Sequence, residues 1–244
     1  MTAEILEIRG LDAGYAGKRT LAGVSFTLQY GEWLSLVGPN GSGKTTLLRC
    51  VSGQMDPLAG RVLINGHDIV TDPQAAKRLI GFAHPPDRLP RLLTGRQCLD
   101  VYAAAHGMRD LGRSLELAAS LRLLGVLDQL VESYSMGMRQ KLSVLLALIN
   151  DPALIILDES FNGLDPAGAL YLKNELRTLV ARKQCAVLVA THSLDLVLAY
   201  STRVMLLMDG KVSKYWASDA LQDMRGDTAS LEAALIRATE ERAS

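Results

Sequence analysis

Lys44 closes a glycine-rich run, Gly38-Pro39-Asn40-Gly41-Ser42-Gly43-Lys44-Thr45-Thr46, that fits G-x-x-x-x-G-K-[ST] at every fixed position. The chemistry this spacing offers is phosphate capture. Glycines let backbone N–H groups turn inward around an anion without a Cβ in the way. A helix starting at the lysine points its positive end at the same anion. Lys44 adds a full charge for the outer phosphates, and the Thr45 hydroxyl is a ligand type suited to Mg²⁺. A glycine-rich turn with an incidental lysine is the bland alternative, and at ordinary glycine frequency it arises about once in a hundred chains of this length. The motif needs a strand before it and a helix after it. The run Trp33–Val37 and the helically spaced Leu47–Val51 supply both. By itself the loop does not choose among ATPases, GTPases and kinases.

Two further strand ends carry reactive groups. Leu154-Ile155-Ile156-Leu157 is an uninterrupted apolar run, the pattern of a buried parallel strand, and it ends in Asp158-Glu159. In open α/β sheets ligands lie beyond the carboxyl ends of the strands, so both carboxylates are expected beside the phosphate loop. Asp158 would hold Mg²⁺ together with Thr45, and Glu159 would orient and deprotonate an attacking water. A second run, Ala186–Ala190, leads into Thr191-His192, and that imidazole could contact a terminal phosphate. Ser135 and Gly137 open a leucine-rich helix running to about Ile149. Ser135 is a natural N-cap, and a helix N-terminus without a lysine is a second candidate phosphate site. Ordinary capping of a core helix explains Ser135 but not the glycine, and both readings stand at this point.

The elements that must position these groups follow from pattern. The first thirty residues alternate like strands, with Met1–Gly10 suited to a sheet edge. Asn65-Gly66 after Arg61–Ile64 reads as a type I′ hairpin. Residues 91–149 carry Leu and Ala at three- and four-residue spacings and read as helices. Strand signals return at Leu154–Leu157, Ala186–Ala190 and Val204–Met208, separated by helical stretches at 166–182 and 193–199. This predicts a parallel α/β core carrying a helical insertion, followed by a polar, helical tail over 216–244.

Composition narrows the class. The 244 residues hold 26 Lys+Arg against 26 Asp+Glu, a formal net charge of zero with no basic block, which argues against nucleic acid as a partner. A hydrophobic content of 48% excludes a disordered chain. Cys50, Cys98 and Cys185 are odd in number and widely spaced, and read as buried small hydrophobes rather than a disulfide frame or zinc site. No apolar run reaches the ~18–20 residues of a membrane span, and the opening residues do not resemble a signal peptide.

Taken together, residues 4–215 resemble the nucleotide-binding subunit of ABC transporters, with the motifs in that family's order. Residues 38–46 are similar to Walker A and 154–159 to Walker B. Tyr15 is similar to the aromatic that stacks on adenine, although a tyrosine at a strand edge is its plainer reading. Asn162-Gly163-Leu164-Asp165 resembles the D-loop, with Asp165 facing a partner subunit. The signature reads Tyr134-Ser135-Met136-Gly137-Met138 in place of Leu-Ser-Gly-Gly-Gln, a form resembling the bacterial ABC-2-type exporter branch. Where the family's Q-loop carries Gln or Glu, this chain has Pro85, preceded by His84. Proline offers no side-chain ligand, so either His84 or Asp87 substitutes or the loop serves mainly to couple to a membrane partner.

The resemblance implies a P-loop NTPase (RecA-like) parallel-sheet core with an antiparallel β part at the N-terminus and an inserted helical subdomain. The parts would be 1–86, 87–153 (helical, signature-bearing), 154–215 and a tail, 216–244. It implies ATP and Mg²⁺ as cofactors and a homo- or heterodimer in which Ser135 and Gly137 of one subunit cover the ATP on the partner's Walker A. It further implies integral membrane permease subunits as partners and a place on the cytoplasmic face of the inner membrane. The alternatives are an ATP-switched regulatory subunit, which Pro85 favours, and a soluble ABC ATPase of translation or DNA repair.

Overall fold

The computed structural model describes residues 4–15, 18–224 and 226–240, and builds them around two sheets. The first is antiparallel, in the order β2-β1-β4-β5. It contains β1 (Glu4–Tyr15), β2 (Lys18–Gln29), β4 (Ala59–Ile64) and β5 (His67–Asp68). Asn65 and Gly66 both take positive φ, 48° and 84°, and close the β4–β5 hairpin as expected. The edge assignment for the opening residues is corrected. β1 pairs with β2 on one side and β4 on the other, so it is an interior strand; Met1–Ala3 lie outside the described residues. Alternation reports one buried face, not the number of hydrogen-bonded neighbours, which is why the pattern misled.

The second sheet has six strands in the order β10-β9-β3-β8-β7-β6. These are β3 (Trp33–Val37), β6 (Ile80–Ala83), β7 (Leu154–Asp158), β8 (Ala186–Ala190), β9 (Arg203–Met208) and β10 (Lys211–Trp216). Every neighbouring pair from β9 to β6 is parallel, and only β10 runs antiparallel, at the edge. Strands β3, β7 and β8 are almost wholly apolar because helices cover both faces of the sheet; the exception inside them, Ser35, is buried and shares a hydrogen bond with Ser201.

Helix α1 (Lys44–Val51) lies between the sheets, with Leu47, Leu48, Cys50 and Val51 wholly buried in a cluster that includes β1, β2, β3, β7 and β8. On the other face of the six-stranded sheet, α6 (Pro166–Ala181) and α5 (Met136–Ala147) pack around Trp33, Ile155 and Val187. A short α2 (Pro73–Arg78) precedes β6. Helices α3 (Gly95–Ala105), α4 (Gly112–Ser120) and α5 share a cluster of their own built on Leu99, Leu121, Leu127 and Leu142. The tail is helical, as α8 (Ser218–Asp223) and α9 (Thr228–Glu240), but not simply polar. Leu221, Leu231, Ala234 and Ala238 are buried against Val204 and Leu206 of β9 and Val197 of α7 (Leu194–Tyr200).

All three cysteines are free and buried. Burial pushes the thiol of Cys50 and that of Cys98 up to about 11, and that of Cys185 to about 12. Among the described residues no helix is long and apolar enough to cross a membrane.

Candidate active site

Strand order brings the reactive groups together. β3, β8 and β7 are adjacent, so the phosphate loop after β3, His192 after β8 and Asp158-Glu159 at the end of β7 share one edge of the sheet. Backbone bonds pin the junction: Glu159 N donates to Ala190 O at 3.0 Å, and Thr191 N to Leu36 O at 3.3 Å. A cleft of about 240 Å³ is lined by Asn40, Gly41, Gly43, Lys44, Thr45, Thr46, Asp158, Glu159 and His192. A wider one of about 370 Å³ shares Thr45 and Asp158 and reaches Tyr15, Arg49, His84 and Pro85.

The loop itself is a cradle. Gly38 has φ 150°, and a Cβ there would stand 2.1 Å from the carbonyl oxygen of Leu207, so only glycine fits. Lys44 folds back over the loop, its Nζ donating to the carbonyls of Gly38 at 2.6 Å and Pro39 at 3.0 Å. Burial lowers its pKa, and Glu159 and Asp158 work in the opposite direction. The Ser42 hydroxyl is buried and lacks a hydrogen-bond partner. A buried donor of this kind costs free energy unless something supplies an acceptor.

Glu159 takes φ 50°, an unusual conformation for a residue with a side chain. That backbone turns its carboxylate toward the cleft. Asn162 Nδ2 donates to Oε2 at 3.0 Å. Oε1 is buried and lies 3.4 Å from His192 Nε2, near enough for attraction but without the alignment of a hydrogen bond. The carboxylate thus has one oxygen fixed and one bare, beside an imidazole.

Tyr15 is exposed at the end of β1 and receives a hydrogen bond on its hydroxyl from Arg49 Nη1, at 2.9 Å. Of the two groups weighed for the Pro85 position, His84 lines the wide cleft with Thr45 and Asp158, whereas Asp87 does not. The His84 ring stands edge-on to Phe82 at 4.9 Å, and burial lowers its pKa.

Three predicted residues lie apart from this edge. Ser135 caps α5, its Oγ accepting from Met138 N at 3.2 Å, and the tip it forms is exposed. Neither Ser135 nor Gly137 lines the clefts around Lys44. Gly137 has a local reason to be glycine, since a Cβ there would sit 2.7 Å from Gly163 O. Asp165 caps α6 through Gly168 N at 2.9 Å and pairs with Lys141 of α5. Sequence reasoning missed Asn162, Arg49 and Lys141 as partners. Arg49 was findable, because it falls one helical turn after Thr45 on the same face of α1.

The ABC transporter family model matches residues 21–162. An uncharacterized ABC transporter ATP-binding protein of Bacillus subtilis, YdbJ, is 36% identical over 213 residues, covering 87% of this chain and 69% of that protein. The Nod factor export ATP-binding protein I of a Rhizobium strain is 32% identical, with 86% and 70% covered. Rat ATP-binding cassette sub-family A member 7 is 33% identical over 85% of this chain, which spans only 10% of that much longer protein. A solved structure of the ATP-binding subunit of an ABC transporter superposes with a TM-score of 0.83 at 28% identity, covering 96% of this chain and 99% of that one. With the phosphate loop, the acidic strand end and the histidine set on one edge of this fold, the chain belongs to the ABC transporter family, as an ATP-binding and ATP-hydrolysing subunit.

Proposed function

We propose that the chain is the motor subunit of an exporter, dimerising around ATP and driving separate membrane-spanning subunits. The observation that carries the reading is the shared sheet edge, where Lys44, Thr45, Asp158, Glu159 and His192 line one cleft. The residues fit a nucleoside triphosphate: the cradle is closed to any side chain at Gly38, and Ser42 offers a buried hydroxyl needing an acceptor. Phosphate oxygens would take over the Lys44 ammonium from the Gly38 and Pro39 carbonyls. Gly38–Thr46 forms the binding loop, and Tyr15 and its Arg49 partner border the wide cleft where a base would lie.

Thr45 and Asp158 are the residues that would hold Mg²⁺. Among the described residues no group of three or more His, Cys, Asp or Glu could hold a metal. A hydroxyl and one carboxylate suit an ion that keeps waters and phosphate oxygens in its shell. Bound there, Mg²⁺ would neutralise charge on the phosphates.

Glu159 is the general base. Its Oε2 is held by Asn162, leaving Oε1 to accept a proton from water. His192, more than half exposed, faces the same opening and can donate to the terminal phosphate. Ser135 and Gly137 act in trans, because their exposed helix tip stands away from the chain's own cradle and needs another subunit to cover. Export follows the named function of the Rhizobium relative.

The test is assembly. Purified protein with a slowly hydrolysed ATP analogue and Mg²⁺ should elute at twice the mass found without nucleotide. A monomer that binds the analogue yet never doubles in mass would overturn the shared-site reading.

A further inference from the structure

Asp165 is exposed, and within this chain its carboxylate also has a partner on α5. Lys141, on the second turn of α5, has a side chain only 10% exposed, and its ammonium is paired with the Asp165 carboxylate. Packing at that position does not require a charge, since an apolar chain of the same length would fill it without the cost of burying an ammonium. A second contact lies one turn earlier on α5, where Gly163 O seats over Gly137 with no room for a Cβ. Residues 163–165 therefore rest on the first two turns of α5. The other end of the same short loop is tied to the hydrolytic carboxylate. Asn162 N donates to Glu159 O and Asn162 Nδ2 to Glu159 Oε2, both at 3.0 Å.

We propose that Lys141 is a positioning residue for hydrolysis: by holding Asp165 on α5 it fixes Asn162, and through Asn162 the orientation of the Glu159 carboxylate. The inference rests on the reading of Glu159 as general base. Its consequence is that the helix whose tip covers the partner's nucleotide also sets the geometry of the chain's own base. Placement of a catalytic group affects turnover more than ground-state binding, because a small displacement is felt in the transition state.

The experiment measures phosphate release against ATP concentration for the full chain and for Lys141→Met, Lys141→Arg, Asp165→Asn and the Met/Asn double variant. Lys141→Met should lower kcat about tenfold or more while KM for ATP stays within about twofold. Lys141→Arg should recover most of the loss, because a guanidinium can reach the same carboxylate. Asparagine still caps a helix, so Asp165→Asn carries the test if the Met variant does not fold. The double variant should be no slower than the slower single one, as expected of two members of one contact. Native kcat in both single variants, multiplying losses in the double variant, or an arginine variant no better than methionine would overturn the proposal. Glu159→Gln in the same assay separates the levels. If it turns over normally, the general-base reading falls and this inference with it. If it is inactive while Lys141→Met and Asp165→Asn are both native, only the inference falls.

Discussion

Replacing Glu159 by glutamine is the sharpest perturbation the site offers, because the geometry dictates how the new side chain must sit. Asn162 Nδ2 donates to Oε2. The glutamine has to present its carbonyl oxygen there, since two donors would otherwise face each other. Its NH₂ then occupies the position of Oε1, which has no hydrogen-bond partner to lose. The fold keeps the Asn162 contact, weakened from a charged to a neutral acceptor, at a cost of about 1 kcal/mol. What disappears is the basic oxygen. General-base catalysis contributes about 10²–10⁴-fold, so the barrier should rise by roughly 3–5 kcal/mol. Nucleotide affinity should stay near native because Lys44, Ser42 and Asp158 are untouched. The assay is steady-state phosphate release beside binding of a fluorescent ATP analogue. The expected outcome is unchanged affinity, turnover reduced at least a hundredfold, and an ATP-bound dimer that persists on a sizing column. Turnover within about threefold of native would refute the assignment of Glu159 as base.

Three other outcomes follow from contacts already described. Lys44→Ala removes the ammonium over the cradle and should weaken ATP affinity by about tenfold or more, in proportion to a lost charge-assisted contact; equilibrium titration checks it, and native affinity would count against the cradle. Gly137→Ala sets a methyl group 2.7 Å from Gly163 O and should destabilise the protein by about 1–3 kcal/mol, read as a lower urea midpoint, with no loss predicting that the loop slides freely over α5. Leu231→Ala, at a wholly buried position of α9, should cost about 2–5 kcal/mol in the same titration, and a neutral result would mean that α9 does not support β9.

The chemistry-bearing strand ends were legible because a strand covered on both faces reads as an almost wholly apolar run, and each such run here stops where the chain turns into the cleft, at Gly38, Asp158 and Thr191. Trp33–Val37, Leu154–Asp158 and Ala186–Ala190 all end beside the cleft. The capped start of α5 was equally plain, since Ser135 bonds locally, three residues along its own chain. What stayed hidden was nonlocal. Lys141 and Asp165 belong to different elements, and nothing in either neighbourhood announces the pair. The glycine at 137 looked unexplained until the carbonyl above it was visible. In the tail the buried residues Leu231, Ala234 and Ala238, with the half-buried Leu235, do keep helical spacing, but two alanines make the stripe faint among charged neighbours. Around Pro85, that His84 and Pro85 both line the wide cleft while Asp87 does not depended on the course of the chain after β6, which spacing alone left open.

The burial of α1 has a mechanical corollary. Its apolar residues are enclosed by strands of both sheets, with no solvent-facing hydrophobic surface to trade during movement. Displacing it would break two packed layers at once, at many times the free energy one nucleotide contact can return. The anion-holding end of the molecule therefore acts as a fixed bearing. Helices α3 and α4, by contrast, close with one face of α5 on an apolar cluster of their own, so loosening that cluster should leave the packing beneath the phosphate loop intact.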